Sequence, residues 1–335
     1  MLRITTALIA FFVLLASFSV GMCSGNDKVY QLKMQSFYPQ SMAGAQKGFA
    51  ETVEKMSGGR IKITFFTSGE LISSPEILKA TKTGMIDIGM GSGSYFSELT
   101  IGNIETGLPM AWQNAYEARV LWEELGFKEL LAKEYEKHGV HYLAPNYATP
   151  YKILTKTPVN SLEELKKLKI RAIGGSAKML SNLGVATVSL PLEDIYLALT
   201  TGQIDGVLFG GANEYKMMKF YEAAKFYIAN PILDPIVDSY FMNKKVWDSL
   251  PEDLQAIITV AATEAGLKHY DPVWKAEYTL PDTLFEDVTK FSEADASKLT
   301  DGAISVWEEE ANRSLENAEA VEMIKELNRM VGRLN

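Results

Sequence analysis

Residue types that carry out covalent chemistry are scarce in this chain and poorly placed. There is one cysteine, Cys23, and three histidines, His138, His141 and His269, so a thiol or serine nucleophile has few bases to draw on. No G-x-S-x-G occurs. His138 and His141, in EKHGVHY, straddle a glycine that ends a helical stretch, which reads as surface and not as a metal pair. Acidic residues abound, but no spacing selects a general acid and base. GMGSGSYF looks superficially like a dinucleotide loop, yet it lacks the full G-x-G-x-x-G and the ribose-binding acid about twenty residues on. The residue that stands out is Arg171, in KIRAIGG (169–175), a cation at the carboxyl end of an apolar run. A guanidinium is always charged, and desolvating it without a partner costs several kcal/mol. Either it reaches solvent or a structural partner, the ordinary state of an arginine, or an anion meets it. Its planar fork suits a carboxylate bidentately, and a hydrogen bond to a charged group contributes about 1.5–3 kcal/mol.

The elements that must place Arg171 read as β-α-β units. Residues 28–36 alternate like a strand, and Met42, Ala45, Phe49, Val53 and Met56 recur at helical spacing before Gly58-Gly59. RIKITFF returns to period two. Ser74-Pro75-Glu76 starts another helix, with Ser74 as N-cap, and MIDIGMG is the next strand. The series recurs over 161–209: a capping box at Ser161 and Glu164, strand KIRAI, helix SAKMLSNLG, strand VATVSLP, helix LEDIYLALTTG and strand IDGVLF. EILKATKTGMID (76–87) and DIYLALTTGQID (194–205) share Ile, Ala, Thr, Gly, Ile and Asp at a constant offset, which points to two similar α/β lobes. Each copy is followed by a Gly-rich loop, GSGSYF and FGGANEY, and such loops at the carboxyl ends of strands line the ligand crevice of open α/β sheets. Beyond 230 the chain is mostly helical, with a second capping box at Ser249 and Glu252 and one amphipathic helix over roughly 302–331. Trp112, Trp122 and Phe127 fit a buried helix stripe.

Composition bounds the function. The 335 residues allow two domains, and a net charge of −9 from 33 basic and 42 acidic residues excludes a phosphate-backbone partner. Residues 1–25 have the basic, apolar and small-residue layout of a signal peptide, so an exported, periplasmic protein is expected. Cleavage with loss of Cys23 is preferred to a lipid anchor on it, because Met22 is large where a small residue is needed. No disulfide then forms in the mature chain.

At this level the chain resembles a known family, the solute-binding proteins of tripartite ATP-independent periplasmic (TRAP) transporters, DctP type. The likeness rests on LKIRAIGGSAKMLSNLGVATVSLPLEDIYLALTTGQIDGV, NKKVWDSLPEDLQAII and ELISSPEILKATKTGMIDIG. It implies a two-lobed α/β periplasmic binding protein, each lobe a mixed, mostly parallel sheet flanked by helices, with a long helix spanning both. Lobe I is expected over 26–148 plus about 239–278, and lobe II over 149–238 plus about 279–335. It further implies no enzymatic activity, a small organic acid captured between the lobes with Arg171 on its carboxylate, and delivery to the small and large membrane subunits. A ligand-binding sensory module for a receptor kinase, or an exported α/β enzyme, are the alternatives.

Within the family, GGSAKMLSNLGVATVSLPLEDIY is most similar to the branch that binds 2-oxo and 2-hydroxy acids, often through a metal. Where that branch has a Glu-Trp pair this chain has Leu208 and Phe209, and the branch's glutamine is replaced near Pro150 and Tyr151. Without those oxygen ligands a hard cation loses its shell, so no metal and no cofactor are expected. The pocket becomes more apolar and suits a monocarboxylate with a hydrophobic or aromatic tail. Further wall candidates are Tyr95, Phe96, Tyr147, Asn213 and Phe37.

Overall fold

The structure is a computed structural model and describes residues 28–334. The expected signal peptide and Cys23 lie outside the described residues. Two sheets organise the chain. The first has the order β2-β1-β3-β10-β4, built from β1 (Tyr30–Ser36), β2 (Ile61–Phe66), β3 (Ile88–Gly91), β4 (Val140–Tyr147) and β10 (Val237–Asn243). The second has the order β11-β9-β5-β8-β6-β7, from β5 (Tyr151–Thr155), β6 (Lys169–Arg171), β7 (Ala186–Val188), β8 (Gly206–Leu208), β9 (Phe226–Leu233) and β11 (Asp287–Thr289). Pairs joined through helices are parallel, as β1 with β2 and β3 and β6 with β7 and β8, because a crossover helix returns the chain to the same end of the sheet. The strands entering from the other sheet, β10 and β5, pair antiparallel with β3 and β8.

The chain crosses between sheets at Ala148–Pro150 and again at Asp234–Ile236, where Asp234-Pro235 is cis. The two crossings are tied together by Ala148 N donating to Ile236 O at 3.0 Å and Ile236 N to Thr149 O at 2.8 Å. A third connection is helical. Helix Glu252–Lys268 continues through His269, in helical conformation, into Tyr270–Thr279. Pro272 lacks the N–H that would bond to Lys268, which marks the joint without ending the rod. At 1.5 Å per residue the rod is about 40 Å long. Its first part lies on β4 and helix Gly44–Met56, its second on helix Ala212–Met217 of the other half.

The shared phrase at 76–87 and 194–205 is one structural device used twice. Helices Ile77–Thr83 and Ile195–Thr201 each end on a left-handed glycine, Gly84 at φ 77° and Gly202 at φ 75°. The aspartate that follows turns back onto the neighbouring strand: Asp87 Oδ2 accepts from Lys33 N at 2.7 Å, and Asp205 Oδ2 from Lys169 N at 2.9 Å. A carboxylate on a backbone N–H at a strand start fixes the register of the next parallel strand.

Trp112, Trp122 and Phe127 are fully buried, with ring centroids 5.5 Å apart for Trp112–Trp122 and 4.6 Å for Trp122–Phe127, both edge to face. Among the described residues no helix is long and apolar enough to cross a membrane.

Three local expectations are corrected. The C-terminal segment is two helices, Glu293–Ala311 and Leu315–Met330, because Ser314 caps the second by accepting from Asn317 N at 3.0 Å. Ser249 does not cap the spanning helix; its hydroxyl donates to Val246 O, and Pro251 occupies the N-cap position. Ser73 holds the N-cap position assigned to Ser74, whose hydroxyl is used elsewhere.

Two outcomes follow from this packing. A methyl group on Gly266 would strike the carbonyl of Pro145, backbone that cannot rotate away, so Gly266→Ala is expected to destabilise by about 1–3 kcal/mol, read as a lower midpoint in thermal denaturation. Glu105 sits buried beneath the first sheet, accepting from Tyr135 at 2.9 Å and from Ser239, with no cation beside it; burial pushes its carboxyl up to about 8. The unfolded chain ionises it near the ordinary value of 4.5, so the stability it contributes is complete below that value and is lost as pH rises towards 8. The thermal midpoint of ligand-free protein is expected to fall between pH 5 and 8, with a shallower slope in Glu105→Gln.

Candidate functional site

Arg171 ends β6 and is fully buried. The strand's alternation turns its side chain off the apolar core of the second sheet and into the seam where the sheets' carboxyl ends meet. There Nε and Nη2 donate to Leu190 O at 3.1 and 2.7 Å, and Nη2 also donates to Tyr95 OH at 2.5 Å. Nη1 has no partner, and among the described residues no carboxylate forms an ion pair with this guanidinium. The internal repeat shows which part of this is structural. In the first sheet the corresponding buried side chain is Gln35, whose Nε2 donates at 2.7 Å to Ile72 O, at the same offset from the shared phrase as Leu190. Gln35 stops there. Arg171 reaches further and leaves one edge of its fork open.

The first half supplies the facing wall. Tyr95, on the loop after β3, has its hydroxyl on Arg171 and its ring 6.1 Å from Phe37, which follows β1. Burial raises the Tyr95 phenol although the guanidinium pulls the other way. The Phe37 ring lies tilted against Tyr38 with centroids 4.3 Å apart, and the Tyr38 hydroxyl donates at 2.6 Å to Asp238 on β10. From the second half Phe209 stands with its ring centroid 5.8 Å from the Arg171 guanidinium. Tyr151 is buried close enough for the Arg171 charge to act on its phenol, which burial nonetheless raises.

The other expected wall residues are placed elsewhere. Leu208 is buried within β8. Phe96 packs edge to face on Phe241 inside the first half. Tyr147 packs on Trp122 and borders a surface depression with Arg119 and Glu123. Asn213 bonds to Glu214 and Met217 at the rim, in a groove shared with Ser41, Met42 and His269. His138 and His141 form no pair: His138 lies by Glu134, and His141 stacks on Trp247 at 4.0 Å.

Sequence reasoning missed Asp238, Tyr38 and Glu193. Asp238 is a lone acid in the apolar run PIVDSYFM, the same signal that singled out Arg171 in KIRAI. Glu193 ties the two halves together, accepting from Ser74 Oγ at 2.9 Å, Ser74 N at 3.3 Å and Ser68 Oγ at 3.3 Å. Gly174, at φ 58°, brings the backbone so near Ser94 of the first half that a Cβ would collide with its hydroxyl. These contacts shut the seam over Arg171.

The side chains of Tyr95 and Phe209 that face the Arg171 guanidinium are aromatic. Phe209 and Tyr151 offer no carboxylate or amide oxygen, and among the described residues no three acidic, histidine or cysteine side chains gather to hold a cation. The arrangement can meet an anion with the unpaired Nη1 of Arg171, beside the rings of Tyr95 and Phe209.

The chain is 28% identical over 249 residues, 70% of its length, to the monocarboxylate 2-oxoacid-binding periplasmic protein of Nostoc, and covers 66% of that relative's length. It is 27% identical over 236 residues to the C4-dicarboxylate-binding periplasmic protein of Rhodobacter capsulatus, 66% of each chain being covered. A TRAP periplasmic solute-binding protein from Chromohalobacter salexigens, solved with (S)-(+)-2-amino-1-propanol, superposes with a TM-score of 0.86 at 25% identity over 90% of this chain and 96% of that one. One from Pseudoalteromonas atlantica, solved with sodium and pyruvate, shares the fold with a TM-score of 0.83 at 23% identity, over 91% and 95%. The model of the bacterial extracellular solute-binding proteins, family 7 (DctP), matches residues 39–314, and the chain belongs to that family of TRAP solute-binding proteins.

Proposed function

We propose that this protein captures a small organic acid in the periplasm and delivers it to the small and large membrane subunits of a TRAP transporter. The observation that carries the reading is the open edge of the buried Arg171 fork. A carboxylate entering the seam accepts from Nη1, whose N–H groups are unspent, and neutralises a charge that the chain itself leaves without an anion. The two sheets with their helices act as lobes I and II, joined by the two crossings and the spanning helix. Separation of the lobes exposes Arg171 to water and admits the acid; approach buries the pair and completes the contacts of Ser68 and Ser74 to Glu193. The ligand stabilises closure only by the difference in its affinity for the two forms.

Phe209, Tyr151, Tyr95 and Phe37 give the anion an aromatic surround, which suits a monocarboxylate carrying a hydrophobic or aromatic tail. The Nostoc relative's 2-oxoacid specificity and the pyruvate in the Pseudoalteromonas protein support an acid of that size. The sodium of the latter has no counterpart in this donor set, and we infer direct binding on Arg171.

Replacing Arg171 by Ala is expected to weaken carboxylate binding by about 2–5 kcal/mol; calorimetry against a panel of aliphatic and aromatic carboxylates checks it, and unchanged affinity refutes the role. Treatment with a chelator is expected to leave affinity intact, and a loss of tenfold or more overturns metal-free binding.

A further inference from the structure

The seam holds a second buried charge that the capture of a simple acid leaves unanswered. Asp238 is fully buried on β10, opposite Asn146 in the ladder. Its Oδ2 accepts from Tyr38, and its Oδ1 has no partner. Among the described residues no lysine, arginine or histidine pairs with it. The unpaired side-chain atoms cluster here: Tyr240 OH projects from the same face of β10, and Gln46 Oε1 and Asn146 Nδ2 are unpaired beside it. The neighbourhood is polar, enclosed and unsaturated.

Asp238 and Arg171 belong to one site. Tyr38, which holds Asp238, packs tilted against Phe37, Phe37 lies edge-on to Tyr95, and the Tyr95 hydroxyl meets Arg171. The charges of Asp238 and Arg171 both act on Tyr95 and on Tyr151. The seam therefore has an acidic group on the first half and a guanidinium on the second. Each is fully buried with one polar atom unmet, and the two are not paired with each other.

A monocarboxylate meets Arg171 but adds a second negative charge near Asp238 and leaves Oδ1 empty. A molecule with a charge of each sign meets both unfilled atoms and brings the buried site to neutrality. We propose that the ligand is a zwitterion, an amino-carboxylic acid whose carboxylate sits on Arg171 and whose protonated amine donates to Asp238. This rests on Arg171 receiving a carboxylate, and it names the ligand class beyond that. Burial without a cation pushes the Asp238 carboxyl up to about 7 against the hydrogen bond of Tyr38, and a ligand ammonium supplies the missing favourable charge.

The test uses pairs that differ only in an amine or a hydroxyl: glycine with glycolate, β-alanine with 3-hydroxypropionate, γ-aminobutyrate with 4-hydroxybutyrate and phenylalanine with phenyllactate. Affinities are measured by calorimetry on the mature wild-type protein, on Asp238→Asn and on Arg171→Ala. At least one amine is expected to bind the wild type at least about tenfold tighter than its hydroxyl partner. That preference is expected to vanish in Asp238→Asn while the hydroxy acid changes by less than about threefold. A hydroxy acid binding as tightly as its amine, or an amine indifferent to Asp238→Asn, overturns the proposal. If Arg171→Ala still abolishes binding in those cases, the carboxylate role stands without it; if both members of a pair ignore Arg171→Ala, the carboxylate role is what fails. The wild-type pair ratio needs no variant to fold.

Discussion

A guanidinium that cannot lose its charge, held away from water with part of its fork unfilled, is the constraint around which this molecule is arranged. Leaving such a group unpaired costs several kcal/mol, and the chain meets that cost only in part, with the carbonyl of Leu190 and the hydroxyl of Tyr95. The first belongs to the lobe that carries Arg171 and holds the side chain in place. The second belongs to the opposite lobe. Burial and satisfaction of the arginine are therefore coupled to the distance between the lobes, which is the coupling that a capture device needs.

The internal repeat sets the charge at a position that both halves share. Each half ends a helix on glycine, turns an aspartate onto the neighbouring strand and places a buried polar side chain against a carbonyl at the equivalent position. Glutamine suffices for that task in the first half. The longer, forked arginine in the second half performs it and has a donor left over. Arg171 is thus a structural position with surplus hydrogen-bonding capacity.

Rigidity and closure are divided among different elements. The two crossing segments, bonded to each other through Ala148, Thr149 and Ile236, leave the sheets few degrees of freedom. The spanning helix lies so close on β4 that Gly266 has no room for a side chain. Closure is recorded by a few replaceable polar contacts, Glu193 to Ser68 and Ser74, worth little each in contact with water.

Much of the architecture was legible locally. Periodicity, the glycine stops and the repeated Ile-Asp phrase determined the β-α-β units, and a cation in an apolar strand marked Arg171, because helical and strand spacing and the cost of burying charge are properties of short segments. Where one helix gives way to the next at Ser314, and which of Ser73, Ser74 and Ser249 cap, depended on competing hydrogen bonds that short patterns do not rank. Asp238 carried the same local signal as Arg171. Tertiary structure alone decided that the two lie at one seam, that Tyr95 spans it, and that Phe96, Leu208 and Tyr147 pack away from Arg171, because such neighbours are set by how two sheets far apart in sequence face each other.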